Sequence, residues 1–102
     1  MRFFIPENKI EENKIDLGRK LGYFSLGRGK DEAEFSFIRP LYGNGYPRFH
    51  LFIRSDKGKD IVFDLHLDQK KASYKGSRAH SGEYEGPVIE NEVDRIKKII
   101  LG

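Results

Sequence analysis

Carboxylate, imidazole and carboxylate stand at alternate positions of one short run: Asp64, His66 and Asp68 in IVFDLHLD, residues 61–68. An extended strand sends successive side chains to opposite faces. Ile61, Phe63, Leu65 and Leu67 therefore share an apolar face, and Val62, Asp64, His66 and Asp68 share the other. The run RFHLFIR, residues 48–54, has the same alternation, with Phe49, Leu51 and Ile53 inward and Arg48 and His50 outward. If the two runs pair, Arg48, His50, Asp64, His66 and Asp68 occupy one face. Two histidines and two carboxylates can ligate Zn²⁺ or Mn²⁺. They can also exchange protons with a phosphodiester, His50 and His66 as acid and base or metal ligands, Asp64 orienting an imidazole and Arg48 holding the anion. The plainer explanation is an antiparallel sheet with one solvated face, which alternates in the same way and gains from cross-strand His–Asp and Arg–Asp pairs. No HExxH metal motif is present.

The next segment, QKKASYKGSRAHSGEYEG, residues 69–86, is polar throughout. A connection of this length is often functional. Lys70, Lys71, Lys75 and Arg78 suit phosphate contacts, and Tyr74, His80 and Tyr84 suit stacking on unpaired bases. A solvated loop, or an extra strand within KASYKG, explains the same composition. GRGK at 27–30 lacks the glycine spacing and the Ser or Thr of a phosphate-binding loop, so it reads as a hairpin loop. Ser81 beside His80 is no nucleophile pair, because neighbours on an extended chain point apart and no GxSxG elbow exists. Tyr42 and Tyr46 flank a GNG turn and either line a rim or cover a sheet end.

These groups need a scaffold, and 102 residues with 37% hydrophobic and 34% charged content suffice for one globular domain spanning 1–102. Eight Phe and five Tyr argue against disorder. The net charge of +3 permits an acidic partner without demanding one, and the excess concentrates in residues 68–80. The absence of Cys excludes disulfides and thiolate-bound zinc. No 18-residue apolar run exists, and MRFFIPENK holds too short an apolar stretch for a secretory signal. The expectation is a cytoplasmic chain with no membrane contact and no cofactor.

The elements follow from periodicity. Residues 2–5 predict a short strand ended by Pro6, while 7–17 fit neither period and read as irregular or a weak helix; an irregular segment over 1–19 is the expected N-terminus. Residues 20–27 and 33–39 predict strands around a turn at 28–31, with Phe35 and Phe37 on one face and Pro40 as terminator. Between 48–54 and 61–68, a three-residue loop Asp56-Lys57-Gly58 closed by Ser55 and Lys59 pairs Ile53 with Ile61, Leu51 with Phe63 and Phe49 with Leu65. It sets Arg54 against Asp60, His50 against Asp64 and Arg48 against His66. A shift of two in the pairing would set His50 against His66 instead. Pro87 opens a helix whose Ile89, Val93, Ile96 and Ile100 fall on one face, with Val88 and Ile99 widening it, acidic residues early and basic residues late. The fold class expected is α+β: an antiparallel sheet of four or five strands with a C-terminal helix packed on one face.

The string FDLHLDQKKASYKGSRAHSGEYEG, with FSFIRP and YPRFHLFIR before it, resembles a family of small prokaryotic proteins carrying an HLDQK…SY…AHSGEY signature. The resemblance covers roughly residues 35–98, is most specific over 63–86 and does not clearly include the first 20 residues. It implies a natural compact domain and brings no activity, ligand or catalytic residue with it. The leading expectation is a small module binding an anion, foremost single-stranded or structured RNA. Its ligand-binding residues would be Arg48, His50, Asp64, His66, Asp68, Lys70, Lys71, Tyr74, Lys75, Arg78 and His80. A histidine-based or metal-dependent phosphodiesterase is the first alternative, with His50, His66 and Asp64 as candidates. A non-catalytic interaction subunit, docking through an edge strand at 20–27 or the helix stripe, is the second.

Overall fold

A computed structural model describes residues 1–28, 33–56, 58–69 and 82–102. Five antiparallel strands form the sheet: β1 (Arg2–Pro6), β2 (Phe24–Arg28), β3 (Glu34–Pro40), β4 (Arg48–Asp56) and β5 (Asp60–Asp68), in the order β1-β5-β4-β3-β2. A two-residue β6 (Gly82–Glu83) pairs with the end of β5, Gly82 opposite Asp68. Helix α1 (Lys14–Lys20) follows a short 3₁₀ turn at Glu7–Lys9, and α2 (Pro87–Leu101) closes the chain. The α+β class and the C-terminal helix are as the periodicity predicts.

Alternation places the core. Phe3, Ile5, Phe37, Phe49, Leu51, Ile53, Phe63, Leu65 and Leu67 are buried on one sheet face under Leu17 of α1, its C-cap Leu21, and Ile89, Val93 and Ile96 of α2. Each such large apolar side chain contributes about 1.5–3 kcal/mol by leaving water. With both helices on this side, the other face of β3, β4 and β5 is free to carry polar groups. No helix of the described residues is long and apolar enough to cross a membrane.

Three sequence expectations need correction. The strand expected at 20–27 begins only at Phe24, because Lys20 ends α1 and Gly22 stops it. Gly22 has φ 91°, its N–H bonds the Arg19 carbonyl at 3.0 Å, and the Tyr23 N–H bonds the Gly18 carbonyl at 2.9 Å. That is a Schellman cap, which favours glycine because a Cβ strains the left-handed conformation. The N-terminal segment is mostly regular: Asn13 Oδ1 accepts from the Asp16 N–H at 2.8 Å and starts α1.

The third correction is the register. The β4–β5 hairpin is closed by Asp56 and Asp60, one residue later on each strand than expected, with the Lys59 N–H bonded to the Asp56 carbonyl at 3.2 Å. Gly58 has positive φ, 78°, the left-handed conformation that glycine adopts without strain. His50 therefore faces His66, Arg48 faces Asp68, Phe52 faces Asp64 and Ile53 faces Phe63. Of the turn expected at 28–31, Arg28 belongs to β2 and the rest lies outside the described residues.

Candidate functional site

The corrected register builds the site. His66 and Asp68 are two apart on β5, and Arg48 and His50 sit directly across from Asp68 and His66 on β4. All four side chains emerge on the helix-free face, flanked by Ser36 of β3. Asp68 is the hub. Its Oδ1 is 2.8 Å from His66 Nε2, and its Oδ2 is 3.3 Å from His50 Nδ1 and 3.2 Å from Arg48 Nε. On its far side, His50 Nε2 is 2.8 Å from Ser36 Oγ. The rings of His50 and His66 stand 4.9 Å apart between centroids.

The chemistry fixes the protons. A carboxylate only accepts, so His50 Nδ1 carries the hydrogen directed at Asp68 Oδ2, while His66 Nε2 stands 2.8 Å from the other oxygen. Burial pushes His50 below the ordinary imidazole range; the Asp68 charge opposes this, while His66 and Arg48 add to it. A neutral His50 leaves Nε2 bare to accept the Ser36 hydroxyl. Ser36 is buried, and this bond satisfies it.

A pH dependence follows, with a definite sign. The folded chain holds His50 neutral, whereas the unfolded chain protonates it at about pH 6.5. Its contribution to stability is full above about pH 6.5 and is lost as pH falls toward the depressed folded value, because there the unfolded state binds more protons. Urea midpoints measured from about pH 8 to 5 should fall more steeply for the native chain than for His50→Gln. Equal slopes would remove His50 from that role.

Aromatic rings surround the hub. Phe52 stacks on His50 with centroids 4.4 Å apart, Tyr84 lies 5.1 Å from His66, and the Arg48 guanidinium sits 4.7 Å above the Tyr46 ring. Phe52, His66 and Tyr84, with Glu34 and Asp64 at the edge, line a cleft of about 320 Å³. A larger concavity of about 490 Å³ lies beside α1 over Ile15, Phe35 and Ile61, away from these groups. The smaller cleft is the better candidate, because it adjoins the convergent side chains.

Not every expected residue joins. Among the described residues Asp64 meets no imidazole; it pairs with Arg2 at 3.0 Å and Arg54 at 3.4 Å, and Asp68 is the carboxylate beside both histidines. Arg48 is committed to Asp68 and Tyr46, and Arg54 also reaches Glu34 at 3.8 Å. Positive charge on the described face is therefore balanced by carboxylates. Lys70, Lys71, Tyr74, Lys75, Arg78 and His80 lie outside the described residues. Both flanks of their segment are placed: it leaves from Asp68 and returns at Gly82, its pairing partner. Ser36 and Phe52 are not among the residues the sequence singles out. Their signal was position alone, on the outward parity of FSFIR and RFHLFIR.

Comparison with models of protein families, with curated proteins and with solved structures finds no match for this chain.

Proposed function

We propose that the helix-free face binds single-stranded RNA. The observation that carries this reading is the aromatic cleft of Phe52, His66 and Tyr84, placed where the basic segment leaves and re-enters the sheet. Bases stack on such rings without sequence preference, and lysines and arginines meet the phosphates. Tyr84 suits stacking because it is 55% exposed while His66 supports its position. The balanced charge of the strands assigns phosphate contact to Lys70, Lys71, Lys75 and Arg78, with His80 and Tyr74 as added stacking groups.

The test is an amide NMR titration with a short mixed-sequence RNA, in chelator, at low and then moderate salt. Shifts are expected at 48–52, 64–69 and 82–84, and affinity should fall with salt at a log–log slope of about −2 to −3 if three or four phosphates are neutralised. Tyr84→Ala should weaken binding by about 1–3 kcal/mol, or roughly 5- to 150-fold. No shifts at low salt, or shifts centred on the helices, would overturn the reading.

A second reading, hydrolysis of the phosphodiester, draws on the two imidazoles that share Asp68. Cleavage of the RNA during titration, lost in His66→Ala, would move the assignment there.

A further inference from the structure

We infer that His50, His66 and Asp68 form a binding site for one divalent first-row transition metal ion. The inference stands on donor geometry and does not depend on RNA binding. One donor atom from each residue lies within 4.8 Å of the other two. Ligands at about 2.0–2.1 Å from a tetrahedral ion stand about 3.3 Å from one another. His66 Nε2 stands 2.8 Å from Asp68 Oδ1, and His50 Nδ1 stands 3.3 Å from Oδ2 of the same carboxylate. The separations still to close, none above 4.8 Å, must contract by at most about 1.5 Å, which side-chain rotation on two adjacent strands can supply.

The surroundings fit a metal centre in three further ways. Metal-bound imidazoles are oriented by a hydrogen bond at the other ring nitrogen. His50 has this in Ser36, whose hydroxyl accepts once Nδ1 is metallated and Nε2 carries the hydrogen, just as it donates to the metal-free tautomer. Arg48 anchors Asp68 Oδ2, leaving Oδ1 for the ion. Tyr84 and Phe52 wall the site on the apolar side. Two nitrogens and one carboxylate oxygen suit Zn²⁺, Fe²⁺, Co²⁺ or Ni²⁺ rather than Mg²⁺ or Ca²⁺, which take oxygen ligands. Three protein ligands leave a coordination position open to water or a ligand oxygen. A neutral imidazole that binds the ion through the nitrogen facing Asp68 keeps its one hydrogen on the other ring nitrogen.

The test titrates Zn²⁺ into the full chain by calorimetry, with Co²⁺ as a spectroscopic probe of geometry. One ion per chain is expected, with ligand-field bands of a low-coordinate nitrogen–oxygen site. His66→Ala and His50→Gln should each weaken Zn²⁺ binding about 100-fold or more, and Ser36→Ala by roughly 10-fold. Circular dichroism of each variant separates lost ligation from lost fold. Imidazole ¹⁵N spectra supply a readout in the unmutated chain: the His50 hydrogen should move from Nδ1 to Nε2 on Zn²⁺ addition. Absence of binding at millimolar Zn²⁺, or binding unchanged in both well-folded histidine variants, would overturn the inference. Because the RNA titration is run in chelator, either proposal can fail while the other stands.

Discussion

Replacing Glu92 by Ala is expected to cost about 3 kcal/mol of stability and to lower Tm by about 15 °C. Glu92 lies on α2 with only 4% of its surface exposed, yet it carries a carboxylate. Tyr23 Oη donates to it at 2.6 Å, and Arg95 donates twice, from Nε and Nη2, at 2.8 Å each. Arg39 reaches it from β3 at 3.5 Å, and Arg95 Nη2 also bonds the Leu21 carbonyl at 2.7 Å. One carboxylate thus ties α2 to the end of α1 and to the sheet. Burial and the adjacent Glu92 charge push the Tyr23 hydroxyl far above its ordinary range, so it remains a donor at any pH the fold survives. Truncation leaves that buried hydroxyl and a guanidinium unpaired. Breaking a buried pair costs about 3–5 kcal/mol. The lower end applies because Arg39 and Arg95 each keep 33% of their side chains in contact with solvent. Thermal melts of Glu92→Ala and Tyr23→Phe check this. The Tyr23→Phe loss should be smaller, about 1.5–3 kcal/mol, since one charge-assisted bond is removed. A loss below about 1 kcal/mol for Glu92→Ala would mean that water replaces the network.

That network shows how far the sequence could be read. Ile89, Val93 and Ile96 announce the buried stripe of α2 by spacing, and Glu92 falls inside the same stripe. A charge at an inward position with an arginine three residues on was a legible signal. The favourable placement of acids early in a helix explains the same residue and masks that signal. Tyr23, its partner, carries strand-like composition in KLGYFSLG, yet it follows the Gly22 cap of α1. The cues for α1 were all present, in Asn13 as N-cap, Leu17 and Leu21 four apart, and Gly22 as stop. They lay across the boundary drawn between an irregular segment and a strand.

Four residues of the site are legible in the sequence, and their pairing is not. Period-two alternation fixes which residues of β4 and β5 share a face, so Arg48, His50, His66 and Asp68 group correctly without coordinates. A slip of one residue would bury the charges, but a slip of two preserves every apolar-to-apolar match. The expected and observed registers differ by two. Hydrophobic pattern cannot choose between them, and only the turn chemistry at Asp56–Asp60 does. That choice decides the chemistry: it moves Asp64 away to Arg2 and Arg54, and makes Asp68 the shared partner of both imidazoles.

Gly18→Ala provides the second large effect, and its sign is the informative part. In an exposed helix this change stabilises by about 1 kcal/mol, because alanine loses less backbone freedom. Gly18 is buried in α1 and packs directly on Phe37, which has no exposed surface. A Cβ at this position would lie under 3.0 Å from three carbons of the Phe37 ring. Phe37 shares the core with Leu51, Ile53 and Phe63, each fully buried, so retreat of the ring displaces close-packed neighbours. Overpacking of this kind costs about 1–3 kcal/mol or more. Three simultaneous clashes place it at the upper end, leaving a net loss of about 2 kcal/mol after the helix gain. Shrinking the ring should relieve the alanine: Phe37→Leu destabilises alone, yet the double variant should lose less than the sum of the two, by about 1 kcal/mol or more. Urea denaturation of the four chains in this cycle measures both quantities. A stabilised Gly18→Ala, or strictly additive losses, would mean that α1 can lift from the sheet and that its contact with Phe37 is not fixed.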